Sequence, residues 1–115
     1  MNNKLKNLII TISIILIIAT IAVFALIKKP VNTDQGIVKC IGSKAILYTQ
    51  LGCHACKAQE ELFGENYQYL NVVDCWYENE KCNEAIIEYT PTWVINKEKV
   101  IGVQTIEKLK ELTGC

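Results

Sequence analysis

Residues 8–27 form twenty consecutive positions without a charge, nearly all Ile, Leu, Val, Ala or Phe. As a helix this run spans roughly 30 Å, the hydrocarbon thickness of a bilayer, so it predicts a transmembrane segment. Lys4 and Lys6 precede it, Lys28 and Lys29 follow it, and Pro30 stops any helical continuation. A signal peptide has an apolar core of only about 7–15 residues followed by a small-residue cleavage site. Val23-Phe24-Ala25 is a poor one, so a retained anchor is expected, with cleavage as the alternative.

Beyond the anchor the pattern changes from continuous to periodic. Residues 31–36 are short and polar, and residues 28–37 together read as a tether that keeps the following domain close to the bilayer. Residues 44–49 predict a buried strand, and Gln50-Leu51-Gly52 a turn that delivers Cys53 to the start of a helix. In that helix Ala55, Ala58 and Leu62 are expected to face a sheet and Lys57, Gln59, Glu60 and Glu61 to face water, with Gly64 as the stop. Residues 69–74 predict a second strand. After a polar, acidic stretch, Asn83 is expected to cap a short helix reaching Tyr89, with Ala85, Ile86 and Tyr89 inward. Residues 92–95 and 100–103 read as a hairpin turning at Asn96-Lys97-Glu98-Lys99. Thr105 then caps a last helix with Ile106, Leu109 and Leu112 on one face, stopped by Gly114. The organisation expected is a stub (1–7), an anchor (8–27), a tether (28–37) and one small α/β domain (38–115).

The chain is formally neutral, but its charge is unevenly placed. All twelve acidic residues fall at Asp34 or later, against eight lysines there, a net −4 for that part. With no arginine and a negative balance, the domain lacks the basic footprint of a nucleic-acid binder. Two lysines on each side of the anchor leave orientation to the α-amino group, which favours an inside N-terminus. Cysteine usage points the same way. All six, at 40, 53, 56, 75, 82 and 115, follow the anchor. An even number in a domain this small suits an oxidising extracytoplasmic space, where disulfides supplement a marginal core.

Cys53-His54-Ala55-Cys56 follows a strand and opens a helix, and Thr90-Pro91-Thr92 precedes a later strand. Unpaired N–H groups at a helix N-terminus favour a thiolate, which makes Cys53 the candidate nucleophile. Cys56, one turn on, is the candidate resolving cysteine. His54 either tunes Cys53 or is a solvated loop residue, and Lys57 fits a solvated face. Cys75 and Cys82 read as a structural disulfide, with a second redox pair as the sharper alternative. CxxC spacing also occurs in metal sites, so a zinc or copper protein using Cys53, Cys56 and one of His54, Cys75 or Cys82 is the competing reading. Against it, closed zinc sites pair the motif with a second close pair, whereas six residues separate Cys75 from Cys82. A purely structural, disulfide-stapled module is a third reading, which the small CxxC ring does not favour. No cofactor is expected.

The predicted β-α-β-α-β-β-α order, with CxxC at the first helix and Thr-Pro before the third strand, resembles the thioredoxin superfamily in its short, glutaredoxin-like form. More narrowly, Gly52-Cys53-His54-Ala55-Cys56, Val73-Asp74-Cys75, residues 89–96 and the Gly102-Val103-Gln104 and Gly114-Cys115 segments resemble the thioredoxin-like domain that accompanies vitamin K epoxide reductase homologues. The resemblance implies a cis Pro91 that sets Thr90 beside the cysteines as a substrate-binding edge. It also implies that Cys40 and Cys115 arrive together at the pole opposite the CxxC and form a bridge there. The activity it implies is a membrane-anchored, extracytoplasmic thiol–disulfide oxidoreductase, exchanging disulfides between protein substrates and a membrane redox partner, a vitamin K epoxide reductase homologue. The chain departs from the superfamily pattern in three respects. No Trp precedes Cys53, His54 follows it directly, and the first strand carries no acidic residue.

Overall fold

Helix α1 (Asn3–Ile27) is 25 residues long, with a mean hydropathy of 3.0 over its most apolar stretch, long and apolar enough to cross a membrane. Its hydroxyls are satisfied within the helix. Thr11 Oγ1 donates to Leu8 O at 2.8 Å, Ser13 Oγ to Ile9 O at 2.9 Å and Thr20 Oγ1 to Ile17 O at 2.8 Å. Polar side chains that bond their own backbone cost less in an apolar medium. A computed structural model describes residues 1–27 and 33–115. It divides into a unit containing α1 and a second unit containing everything from Thr33 onward. Of the tether expected at residues 28–37, residues 28–32 lie outside the described residues.

The second unit begins with a helix that the polar look of the tether concealed. Asp34 caps α2 (Gln35–Lys44), its carboxylate accepting from Gly36 N at 2.9 Å and Ile37 N at 3.2 Å. Val38 and Ile41, one turn apart, are fully buried. The last turn of α2 includes Lys44, so β1 (Ala45–Thr49) starts one residue later than expected. Gly42 lets α2 approach closely: a Cβ there would collide with the Tyr69 carbonyl oxygen and lie 3.1 Å from Leu70 Cα.

After β1 come α3 (His54–Glu61), a 3-10 turn (Gly64–Tyr69), β2 (Asn71–Asp74), α4 (Asn79–Glu84), β3 (Thr92–Ile95), β4 (Glu98–Ile101) and α5 (Ile106–Thr113). The sheet order is β2-β1-β3-β4. β1 and β2 run parallel across the α3 crossover, while β1–β3 and β3–β4 are antiparallel. This is the β-α-β-α-β-β-α order expected from the sequence, with one helix added in front. One side of the sheet packs Leu47, Trp93 and Ile95 against Val38 and Ile41 of α2, Phe63 and Leu109 of α5. The other packs Tyr48 and Val73 against Cys82 of α4.

Three local expectations need correction. The inward face of α3 carries Cys56 and Gln59, both buried, whereas Ala55 and Ala58 are exposed. α4 lies earlier than expected, at Asn79–Glu84, because Cys82 buries itself beneath the sheet. Asn83 is therefore inside the helix, its amide donating to Asn79 Oδ1 at 2.6 Å, and Ile86 and Tyr89 are exposed. The hairpin turns on two residues, Asn96 and Lys97, both at positive φ (51° and 67°), so β4 begins at Glu98. The last helix is as expected: Thr105 Oγ1 accepts from Lys108 N at 3.2 Å and Gly114 adopts the left-handed C-terminal conformation.

Candidate active site

The site is assembled where β1 ends. Cys53 N donates to Gln50 O at 3.1 Å to close the turn, and Gly52 supplies the positive φ (82°) that the turn needs. Cys53 itself is the N-cap of α3, its sulfur accepting from Cys56 N at 3.1 Å. A sulfur in that position meets the backbone donors and the positive dipole end, both of which favour a thiolate in the reduced protein. Cys53 and Cys56 are joined by a disulfide, with Cα atoms 5.2 Å apart. Cys56 is buried and Cys53 only half so, which leaves Cys53 as the sulfur that a partner reaches.

Across from the pair stands the segment before β3. Thr90–Pro91 is cis, and the Thr90 carbonyl oxygen and Oγ1 each lie 3.6 Å from Cys53 Sγ. The segment is held from behind, with Gly102 N donating to Pro91 O at 2.8 Å and Thr92 Oγ1 to Tyr89 O at 2.6 Å. His54, the first residue of α3, is exposed, and Lys57 pairs with Glu60 at 3.5 Å on the outer surface.

A cavity of about 510 Å³ opens beside the cysteines, walled by Cys53, His54 and Cys56 and by Glu60, Tyr67 and Asp74. Burial, then the Glu60 and Asp74 carboxylates, push the Tyr67 hydroxyl up to about 12, so it stays neutral at ordinary pH. Asp74 Oδ1 accepts from Leu51 N at 3.3 Å and Trp76 N at 2.9 Å, and Cys75 N donates to Thr49 O at 2.8 Å. The CxxC loop and the chain leaving β2 are thus sewn together.

Gln59, expected to face water, is fully buried. Its Oε1 accepts from Trp93 Nε1 at 3.0 Å and Gln104 N at 2.7 Å, and its Nε2 donates to Gln104 O at 3.0 Å. One side chain therefore links the helix carrying the cysteines to β3 and to the loop after β4. The available signal was its position three residues after Cys56, on the same helix face.

The remaining cysteines are also paired. Cys75–Cys82 brackets the start of α4, with Cα atoms 5.7 Å apart, at the end of the sheet where Cys53 lies. Cys40–Cys115 joins α2 to the second residue past α5, 6.0 Å between Cα atoms, near the start of β1 where Lys44 Nζ donates to Thr113 O at 3.2 Å. The structure thus gathers Cys53, Cys56, Thr90 and Pro91, sets His54 and Cys75 at their margin, and places Cys40 and Cys115 elsewhere. Among the described residues no three His, Cys, Asp or Glu side chains converge as metal ligands.

No family model matches the chain. Among curated proteins it is 36% identical over 83 residues to the thiol-disulfide oxidoreductase LTO1 of Arabidopsis thaliana, an alignment covering 64% of this chain. The chain spans only 22% of that relative's length. Among solved structures, the alkylhydroperoxide reductase AhpF of Enterococcus faecalis matches 70% of the chain and 44% of its own, at 20% identity and a TM-score of 0.44. A domain structure of the same reductase gives 19% identity and a TM-score of 0.42 over the same shares.

Proposed function

We propose that this chain is a membrane-anchored thiol–disulfide oxidoreductase whose domain works outside the cytoplasm on protein thiols and disulfides. The observation that carries the reading is the Cys53–Cys56 disulfide, with the half-exposed Cys53 sulfur capping α3 and Thr90 3.6 Å away. The name of the Arabidopsis relative supports the same chemistry. In the reducing direction the Cys53 thiolate attacks a substrate disulfide, forming a mixed disulfide and expelling one substrate thiolate. Cys56 then attacks Cys53 Sγ, releasing the second substrate thiol and leaving the Cys53–Cys56 disulfide. In the oxidising direction the same steps run backward.

Thr90 and Pro91 form the edge against which an extended substrate lies, and His54 tunes the Cys53 thiolate from the first position of α3. Cys75–Cys82 and Cys40–Cys115 serve as structural bridges. Helix α1 is the anchor, and the placement of every cysteine after it supports an outside domain. The redox partner that resets the pair is a membrane protein, and the motifs shared with the domain of vitamin K epoxide reductase homologues support a partner of that kind.

Trapping tests the mechanism. With Cys56→Ser, a mixed disulfide with substrate accumulates through Cys53, and with Cys53→Ser none forms. Equal trapping by both variants would overturn the assigned roles. Replacing His54 with Ala should lower the Cys53 thiolate fraction read by ultraviolet absorbance, and an unchanged fraction would remove His54 from the site.

A further inference from the structure

Residues 74–89, the last residue of β2 and most of the chain leading to β3, differ from the rest of the domain in two ways. Five carboxylates and one lysine give it a net charge of −4, equal to that of the whole chain from Asp34 onward. It also exposes large apolar surface: Trp76 is 64% exposed, Tyr77 72%, Ile86 67% and Tyr89 62%. Lys81 is occupied by Glu78 at 2.6 Å, while Glu80, Glu84 and Glu88 have no ion-pair partner among the described residues.

The lobe is built to hold this surface in place. Cys75–Cys82 braces it internally. Ile86, a β-branched residue, is held at positive φ (54°), with its carbonyl accepting from Lys99 Nζ at 2.6 Å and its side chain in solvent. Both ends are fastened to the site. Asp74 binds the Leu51 amide in the loop before Cys53, and Thr90 touches Cys53 Sγ. Both ends of this acidic lobe, which exposes apolar side chains, therefore lie beside Cys53 or the loop that carries it.

We infer that this lobe selects the substrate, favouring a polypeptide segment in which lysine or arginine and an apolar residue flank the reacting cysteine. The exposed aromatic and aliphatic side chains give the segment area to bury, and the unpaired carboxylates attract its cations and speed encounter. This inference rests on the proposed exchange activity and adds its substrate class.

The test uses the full chain, reduced, in an uncharged detergent. Two peptides of identical apolar content carry one cysteine activated as a pyridyl disulfide, flanked by lysines in one and glutamates in the other. Cys53 attack releases thiopyridone, and Cys56 attack on the mixed disulfide releases the peptide thiol, so the protein dithiol is oxidised as the peptide disulfide is reduced. At low salt the lysine peptide should react roughly tenfold faster, a gap that narrows as salt screens the charges. Glu84→Lys with Glu88→Lys should remove the preference. Glu107→Lys with Glu111→Lys, an equal charge change on α5, should leave it. Equal rates for the two peptides in the unmodified chain, or a preference that survives the lobe variant, would overturn the inference. A neutral small disulfide separates the two levels: failure to react with it would overturn the exchange activity itself.

Discussion

Gln59 is a fully buried polar side chain whose amide answers three groups, the buried Trp93 Nε1 and the part-buried backbone N–H and carbonyl of Gln104. Replacing it with Met keeps the volume but strands Trp93 Nε1 and the Gln104 amide, which should cost about 1–3 kcal/mol in denaturant unfolding. An unchanged midpoint would show that the network adds nothing. Tyr67 makes a pH prediction. Its hydroxyl is held above the ordinary 10.0, at about 12, so the folded chain grips this proton more tightly than the unfolded one. That contribution is intact below about pH 10 and is lost as pH rises from about 10 towards 12. Tyr67→Phe should therefore flatten the alkaline fall in stability over that range, and an identical fall would contradict the assignment. The CxxC was legible in the sequence because its chemistry is local, two cysteines three positions apart at a helix start. Gln59 was not, since its partners lie 34 and 45 residues away and only its position one turn after Cys56 hinted at an inward face.

At the scale of elements, legibility followed how much each depends on its own residues. The last helix has a Thr cap, three apolar positions on one face and a terminal Gly, and it forms where those signals put it. Helix α2 has equally local signals in Asp34, Val38 and Ile41, but they sit beside a polar stretch that reads as a linker. The hairpin hides its two-residue turn because Asn-Lys takes the place of the usual Asn-Gly. The position of α4 is set by a tertiary demand, the burial of Cys82 against Tyr48 and Val73, which overrides the capping preference of Asn83. The docking of α2 is directly testable. Gly42→Ala forces a methyl group into the Tyr69 carbonyl and should destabilise the domain by about 1–3 kcal/mol, although alanine is the better helix former. A stabilised variant would mean that α2 packs differently.

Across the whole molecule, two bridges close very different loops. Cys40–Cys115 spans 75 residues and Cys75–Cys82 spans 7. Loop-closure entropy then assigns them about 4 and about 2 kcal/mol, so replacing the first pair with serines should lower stability more than replacing the second. Loss of exchange activity in a folded Cys75→Ser, Cys82→Ser variant would instead make that pair a relay. The most direct measurement is the equilibrium of the full chain with graded glutathione buffers, each cysteine pair followed by the mass of its trapped thiols. Cys53–Cys56 should titrate reversibly as a two-electron couple while the other two bridges stay closed. A potential near roughly −120 to −180 mV would mark a disulfide donor and one near roughly −270 mV a reductant. A Cys53–Cys56 pair that does not titrate, or that opens only together with Cys40–Cys115, would contradict the account.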